Sequence, residues 1–186
     1  GKTLTNHNNS PFVVGKLGNG VDFERDSSNY FSRQNDGFDS PAGTVSCWIK
    51  YESNPSVLSI ASTAINNGNQ GFDFRIKEGN VLHGSFGAGP VSVIGNTPLS
   101  PDIFYFATFT WNTSRKELFL DGVSDGSDET DATITAGHPN LKIGTREDLI
   151  ENFDGVIDEC GIWDQVLTDE QIESLYNSGN GRTYPF

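Results

Sequence analysis

Carboxylates, histidines and hydroxyls are the side chains here that could do chemistry, and their spacing argues against it. Two acidic pairs stand out, Glu24-Arg25-Asp26 and Glu129-Thr130-Asp131. A retaining glycosidase needs two carboxyl groups about 5 Å apart on a rigid element, and both of these pairs run into turns. His7, His83 and His138 are scattered, with no His-x-x-x-His or nearby Glu at zinc-ligand spacing. Serines are plentiful, yet no Gly-x-Ser-x-Gly elbow frames one of them. No glycine-rich loop is built to cradle a phosphate. The chain reads as a protein that is not an enzyme.

Cysteine adds little. Cys47 and Cys160 are too far apart in sequence for a metal-ligand pair, and both fall inside predicted strands. A free cysteine there behaves as a small buried apolar residue. A disulfide would require the two strands to be neighbours with suitable geometry, so buried thiols are the expectation and the redox compartment stays open. The acidic run from Asp121 to Asp131 does not match a calcium-binding EF-hand loop, which wants glycine at its sixth position and glutamate at its twelfth. It reads as a solvated hairpin end.

Binding chemistry is better represented. Sugar sites combine aromatic platforms with amides and carboxylates, in pockets of mixed apolar and polar character. The aromatic candidates are Trp48, Tyr51, Tyr105, Trp111 and Trp163, and the amide candidates are Asn66, Asn67, Asn69 and Gln70 from one loop. The competing reading is that aromatics at alternate strand positions belong to a core.

These residues need a scaffold, and composition says which kind. The chain has 186 residues, enough for one well-buried domain. It is rich in glycine (21) and phenylalanine (13) and has no methionine, which suits many short strands joined by tight turns. No run approaches the roughly twenty apolar residues of a membrane span. No signal peptide is visible and the chain begins at Gly1, so it reads as a processed or excised segment of something larger. The net charge of −13 is uneven: residues 1–120 hold ten acidic and nine basic residues, while residues 121–170 hold fourteen acidic residues against Lys142 and Arg146. An acidic surface repels phosphate backbones and anionic lipid alike, which excludes nucleic acid and membrane insertion as partners. Solubility is the plainer reading of the acidic half, and divalent cations or high salt the sharper one.

Periodicity gives about twelve strands and one helix. Residues 1–14 are a polar, Asn-rich lead-in with a short strand at 12–14, followed by strands at 20–24, 29–33, 44–51 and 57–61. In the strand at 44–51, Val45, Cys47 and Ile49 share one face and Ser46, Trp48 and Lys50 the other. Phe72 to Lys77 alternates cleanly and turns through Glu78-Gly79-Asn80 into 81–86, a hairpin by pattern. Strands at 91–94, 103–111, 116–120, 141–144 and 154–163 complete the set. Gly155 and Gly161 mark a bulge or a close approach in the last one. The helix begins after Thr168, with Gln171 at capping-box spacing and Leu167 placed to staple onto Ile172; Gly179 suits its left-handed stop.

The run from Phe153 through Gly155, Ile157-Asp158-Glu159, Ile162-Trp163, Leu167-Thr168, Ile172 and Leu175-Tyr176 resembles the closing signature of laminin-G-like, concanavalin A-like jelly-roll domains. Four further stretches agree in order: Gly15 to Phe23, Val45 to Lys50, Phe104 to Asn112 with Leu118 to Gly122, and Leu141 to Gly144. Phe104 replaces the family's usual Trp. The resemblance covers almost the whole chain and implies a single all-β domain over residues 1–186, an antiparallel two-sheet β-sandwich of jelly-roll type with one short C-terminal helix. Relatives usually open with a Trp-x-x-Asp-Glu strand, which lies before this chain begins. Either residues 1–14 replace it, or a sheet edge stays open for a partner strand or self-association.

The resemblance also carries functional expectations. β-Glucanases of this fold carry Glu-x-Asp-x-x-Glu on one strand, and the two partial matches here read Asn29 and Ile134 at the final position. In calcium-containing relatives the aspartate matching Asp158 binds a structural Ca2+ with backbone carbonyls, whereas without metal it would bond neighbouring backbone. Trp48 and Trp163 match family positions, which favours a structural role for both. One fold hosts many functions, so two classes stand. The first is a noncatalytic extracellular binding or adhesion module for glycans or a cell-surface protein. The second is a structural subunit or decoration of a virion or surface filament. Both imply an extracellular or surface-exposed location.

Overall fold

The computed structural model describes residues 3–34, 37–38, 40–53, 57–64, 70–86, 91–130, 134, 137, 139–146 and 149–183. Fourteen strands are formed: β1 (Thr5–His7), β2 (Phe12–Val14), β3 (Asn19–Phe23), β4 (Tyr30–Gln34), β5 (Gly43–Tyr51), β6 (Leu58–Ser62), β7 (Phe72–Lys77), β8 (Val81–Phe86), β9 (Ser92–Ile94), β10 (Tyr105–Trp111), β11 (Lys116–Leu120), β12 (Val123–Asp128), β13 (Asn140–Ile143) and β14 (Gly155–Trp163); helix α1 spans Asp169–Tyr176. They build two seven-stranded antiparallel sheets, β1-β4-β13-β6-β7-β8-β9 and β12-β11-β10-β5-β14-β3-β2. This is the expected jelly-roll sandwich.

The core lies between the sheets and follows from period-two alternation. Phe72, Phe74 and Ile76 of β7, Leu82 and Phe86 of β8, and Val45, Cys47 and Ile49 of β5 all point inward and are fully buried. Phe109 and Trp111 pack at 5.2 Å, and Phe72 stacks on Trp111 at 5.1 Å. Burial of side chains this large stabilises by about 1.5–3 kcal/mol each.

Two expectations about elements are corrected. The lead-in is not loose: besides the expected strand at 12–14, which pairs with β3, β1 pairs with β4 (Thr5 opposite Ser32). Residues 5–7 and 12–14 thus supply an outermost strand to each sheet. The acidic run after Asp121 is mostly exposed, as a hairpin end would be, but it forms a strand: β12 pairs with β11 across a bulge, and the Asp125 side chain is buried, accepting from the Thr97 backbone N–H at 3.1 Å. Its Val-Ser-Asp-Gly-Ser-Asp sequence lacks a β-branched run, which is why pattern alone misses it. At that flank Asn96 N–H donates to the Asp125 carbonyl at 3.0 Å, tying the chain after β9 to β12.

The two best-marked stretches of the sequence meet in space. Gly15 closes a turn by donating its N–H to the Gly18 carbonyl at 2.9 Å, and the Leu17 N–H donates to Asp158 Oδ2 at 2.8 Å. A Cβ on Gly15 would lie 2.4 Å from that same Oδ2, so only glycine lets the loop cross the carboxylate. Gly155 has φ +128° and a Cβ there would lie 2.2 Å from the Lys50 carbonyl oxygen, while the register of β14 against β5 shifts between Asp158 and Gly161. Both glycines anticipated in β14 therefore sit at a close approach or a bulge.

Helix α1 carries the expected capping box between Thr168 and Gln171, with Leu167 and Ile172 buried in one cluster. It stops two residues earlier than Gly179 suggests, because Asn177 takes the left-handed position (φ 50°). Among the described residues, no helix is long and apolar enough to cross a membrane.

Candidate functional site

Each sheet has an outward face, and the two differ. On the second sheet α1 covers it: Trp48, Phe106 and Phe119 are buried beneath Leu167, Ile172 and Leu175. Tyr176 packs on Trp48 at 5.8 Å and on Phe106 at 6.3 Å. Trp48 does point away from the main core, as alternation requires, but into a second, smaller one. It is 2% exposed and offers no platform to a ligand.

The outward face of the first sheet is polar from edge to edge. Strand register aligns Thr5, Ser32, Lys142, Ser62, Asp73, Ser85 and Ser92 in one continuous row, one residue from each strand. In the adjacent row His7 lies opposite Tyr30, Ser59 opposite Arg75, Arg75 opposite His83 and His83 opposite Ile94. Such rows arise because strands are half-buried with period two, so every core phenylalanine forces a neighbour outward.

At the middle of this face the polar groups are buried and interlocked. Arg75 meets Asp73 Oδ2 at 2.8 Å and Glu151 Oε2 at 3.1 Å. Arg146 reaches Glu151 at 3.3 Å and Asp73 at 3.9 Å. Arg75 Nε donates to His83 Nδ1 at 3.3 Å, and Nη2 donates to Ser85 Oγ at 3.3 Å. Burial pushes the Asp73 carboxyl up to about 6; the Arg75 guanidinium acts against the shift and Glu151 adds to it. Burial also brings His83 down to about 3, helped by the positive charges of Arg75 and Lys77. His83 is therefore neutral at pH 7, which fits Nδ1 as an acceptor. Both carboxylates are committed to guanidinium groups, so the network is a rigid electrostatic support.

Toward the β1 edge the face opens. His7 and Tyr30 stack with ring centroids 4.2 Å apart, and His7 Nε2 lies 2.8 Å from Ser32 Oγ. Lys142 Nζ sits over the Tyr30 ring, 5.8 Å from its centroid. Tyr30, His7 and Ser32 are half-buried and Thr5 is exposed. An aromatic pair and hydroxyls thus share a solvent-facing patch on a strand framework, beside the buried Lys142 cation, a combination able to bind polar ligands.

The described residues among those singled out from sequence lie elsewhere. Tyr51 is buried with its hydroxyl donating to the Leu99 carbonyl at 2.9 Å, and the Tyr105 hydroxyl accepts from Ser100 N–H at 3.1 Å, so both pin the 99–102 turn. Trp111 is a core residue whose Nε1 donates to the Ser40 carbonyl at 3.0 Å. Trp163 packs against the cluster beneath α1. Gln70 is half-buried beside the start of β7, and Asn66, Asn67 and Asn69 lie outside the described residues. These aromatic residues belong to the strands that build the core and the helix-covered sheet.

Asp158, the expected calcium ligand, is held by backbone N–H groups. Its Oδ2 accepts from Leu17 N–H and its Oδ1 from Glu159 N–H, each at 2.8 Å, and the backbone of Gly15 closes over it. Converging N–H donors satisfy a carboxylate without metal, and calcium wants six to eight oxygens. Among the described residues, no three His, Cys, Asp or Glu side chains gather at metal-binding spacing.

Comparison with known proteins agrees with this architecture. The family model of the concanavalin A-like lectin/glucanases superfamily matches residues 25–173. Curated protein sequences give no match. The binding domain of Paraclostridial Mosquitocidal Protein 1 superposes with a TM-score of 0.73 at 17% identity, over 95% of this chain and 47% of that one. Domain 4 of AbnA, an extracellular arabinanase from Geobacillus stearothermophilus solved with arabinotriose, gives 0.72 at 18% identity, over 92% and 86%. The receptor binding domain of botulinum neurotoxin type G gives 0.70 at 13%, over 94% and 46%. This chain therefore spans about half of each toxin domain and most of the arabinanase one. At these identities the likeness is one of fold.

Proposed function

We propose a function from one premise: the chain belongs to the concanavalin A-like lectin/glucanases superfamily. Within it the domain serves as a noncatalytic binding module, acting outside the cell or at a surface and reading a glycan or a glycan-bearing surface partner. The observation that carries this reading is the unbroken polar row across the first sheet, ending at the stacked Tyr30–His7 pair, on the sheet face that α1 leaves uncovered. A sugar presents hydroxyls to hydroxyls and a C–H face to an aromatic surface, which is what Ser32, Thr5 and the stacked Tyr30–His7 pair offer. Two of the structural relatives are toxin binding domains and a third was solved with arabinotriose, which supports the same class. The support for a noncatalytic role is that Asp73 and Glu151 are both tied to Arg75.

The test is a glycan array with the protein and Tyr30→Ala in parallel. The reading predicts a restricted set of bound glycans whose signal is lost in Tyr30→Ala while the fold, by circular dichroism, is kept. No bound glycan, or binding indifferent to Tyr30, overturns it.

A second reading has its own observation. The outermost strand β2 exposes Phe12 (66%) and Val14 (84%), an apolar edge of the kind that meets another protein chain. In that case the module is a structural element of a virion or surface filament. A concentration-dependent oligomer abolished by Phe12→Lys would favour it.

A further inference from the structure

We propose that Cys47 and Cys160 form an oxidisable dithiol pair, closed to a disulfide by a small-molecule disulfide that enters through the cleft between the sheets. The pair is created by the bulge in β14. Register places Trp48 opposite Asp158 and Ser46 opposite Gly161, so Cys47 faces the two intervening residues, Glu159 and Cys160. Ile157, Cys160 and Ile162 all pack toward the main core, although strict alternation from Ile157 would turn Cys160 outward. Glu159 is the extra residue, held in the left-handed region at φ 44°. It brings the Cys160 side chain onto the same face as Cys47, packed against the core cluster that holds it.

Opposed residues of antiparallel neighbours have Cα atoms about 4.5–5.5 Å apart, inside the roughly 4.4–6.8 Å that a disulfide spans. Both cysteines are free thiols in the structure. They differ in access. Cys47 is fully buried, whereas Cys160 is partly exposed and lines a cleft of about 350 Å3 between the sheets, with Asn19, Phe12 and Glu159 around it. A reagent reaches Cys160 first. The Cys47 thiol, raised well above the usual range by burial and by the neighbouring Cys160 thiol, does not begin the reaction.

The exchange balances. The Cys160 thiolate attacks one sulfur of the reagent disulfide, forming a mixed disulfide and expelling one reagent thiolate. Cys47 gives its proton to that thiolate as its sulfur attacks the Cys160 sulfur and expels the second. The protein dithiol loses two electrons and two protons, and the reagent disulfide becomes two thiols.

The test uses the folded protein with excess oxidised glutathione at mildly alkaline pH, read by intact mass and by free-thiol titration after denaturation. The wild type is expected to lose both titratable thiols, to lose the mass of two hydrogens and to retain no glutathione. Cys47→Ser is expected to stop at the mixed disulfide on Cys160, and Cys160→Ser to stay unmodified while folded. Cys47→Ala repeats the first variant with an apolar replacement, and the wild-type mass stands independently of either. A wild type that stays unmodified while folded, that keeps a bound glutathione, or that cross-links between chains overturns the proposal.

Discussion

Replacing His83 by glutamine separates one buried group from the rest of the acid response. His83 lies on β8 directly opposite Arg75, is 4% exposed, and is held at about 3 by burial and by the charges of Arg75 and Lys77. Its depressed value means that the unfolded chain binds a proton near pH 6.5 while the native chain does not until about pH 3. Its contribution is complete above pH 6.5 and is lost as pH falls toward 3, at about 1.4 kcal/mol per unit. At pH 4.5 that amounts to about 3 kcal/mol. Asp73 works in the other direction: with its carboxyl raised to about 6 from 3.8, its contribution is present below 3.8 and lost as pH rises through 6. Between about pH 4 and 6 the two slopes oppose each other, so the wild-type profile alone hides both. The His83→Gln variant keeps an acceptor for Arg75 Nε and removes the titration. Urea unfolding of both proteins at pH 7.5 and 4.5, followed by tryptophan fluorescence, measures the stability gap between them. That gap should move by about 3 kcal/mol in favour of the variant on acidification, whatever its value at pH 7.5. A gap independent of pH would refute the reasoning.

Other perturbations follow from the same geometry. Asp158→Ala leaves the Leu17 and Glu159 N–H groups without their acceptor, and should cost about 2–4 kcal/mol in chemical denaturation. Adding calcium or EDTA should leave the thermal midpoint of the wild type unchanged, because that carboxylate is already satisfied by backbone. Thr168→Ala removes the helix cap and should cost about 1 kcal/mol, read by urea unfolding, with α1 still folded against Trp48. Oxidation of Cys47 and Cys160 to a disulfide should raise the melting midpoint by roughly 5–10 °C, measured by scanning calorimetry with and without reductant.

Much of this architecture is legible in the chain because local rules and global fold agree. Thr168 and Gln171 announce a helix start that the structure builds as a capping box. The alternation Phe72-Asp73-Phe74-Arg75-Ile76-Lys77 sorts core from outward face, and the hairpin turn that follows it already sets Arg75 opposite His83. The network they form was legible in part for that reason. Glu151 and Arg146 were not, since they arrive from a loop remote in sequence and no period links them to β7. β1 escaped because Thr-Asn-His carries no apolar signal; it is a strand only because β4 offers it an edge, and with it the Tyr30–His7 stack stayed hidden. Trp48 illustrates the converse. Alternation assigns its face correctly, but only the docking of α1 decides that the face is covered.

The central claim is that ligand is read on the outward face of the first sheet. A 15N heteronuclear NMR titration with the strongest-binding glycan of an array tests it residue by residue. Concentration-dependent shifts are expected at Thr5, His7, Tyr30, Ser32 and Lys142, with residues 163–182 around α1 unmoved. Shifts centred on α1, or none along β1, β4 and β13, would contradict it.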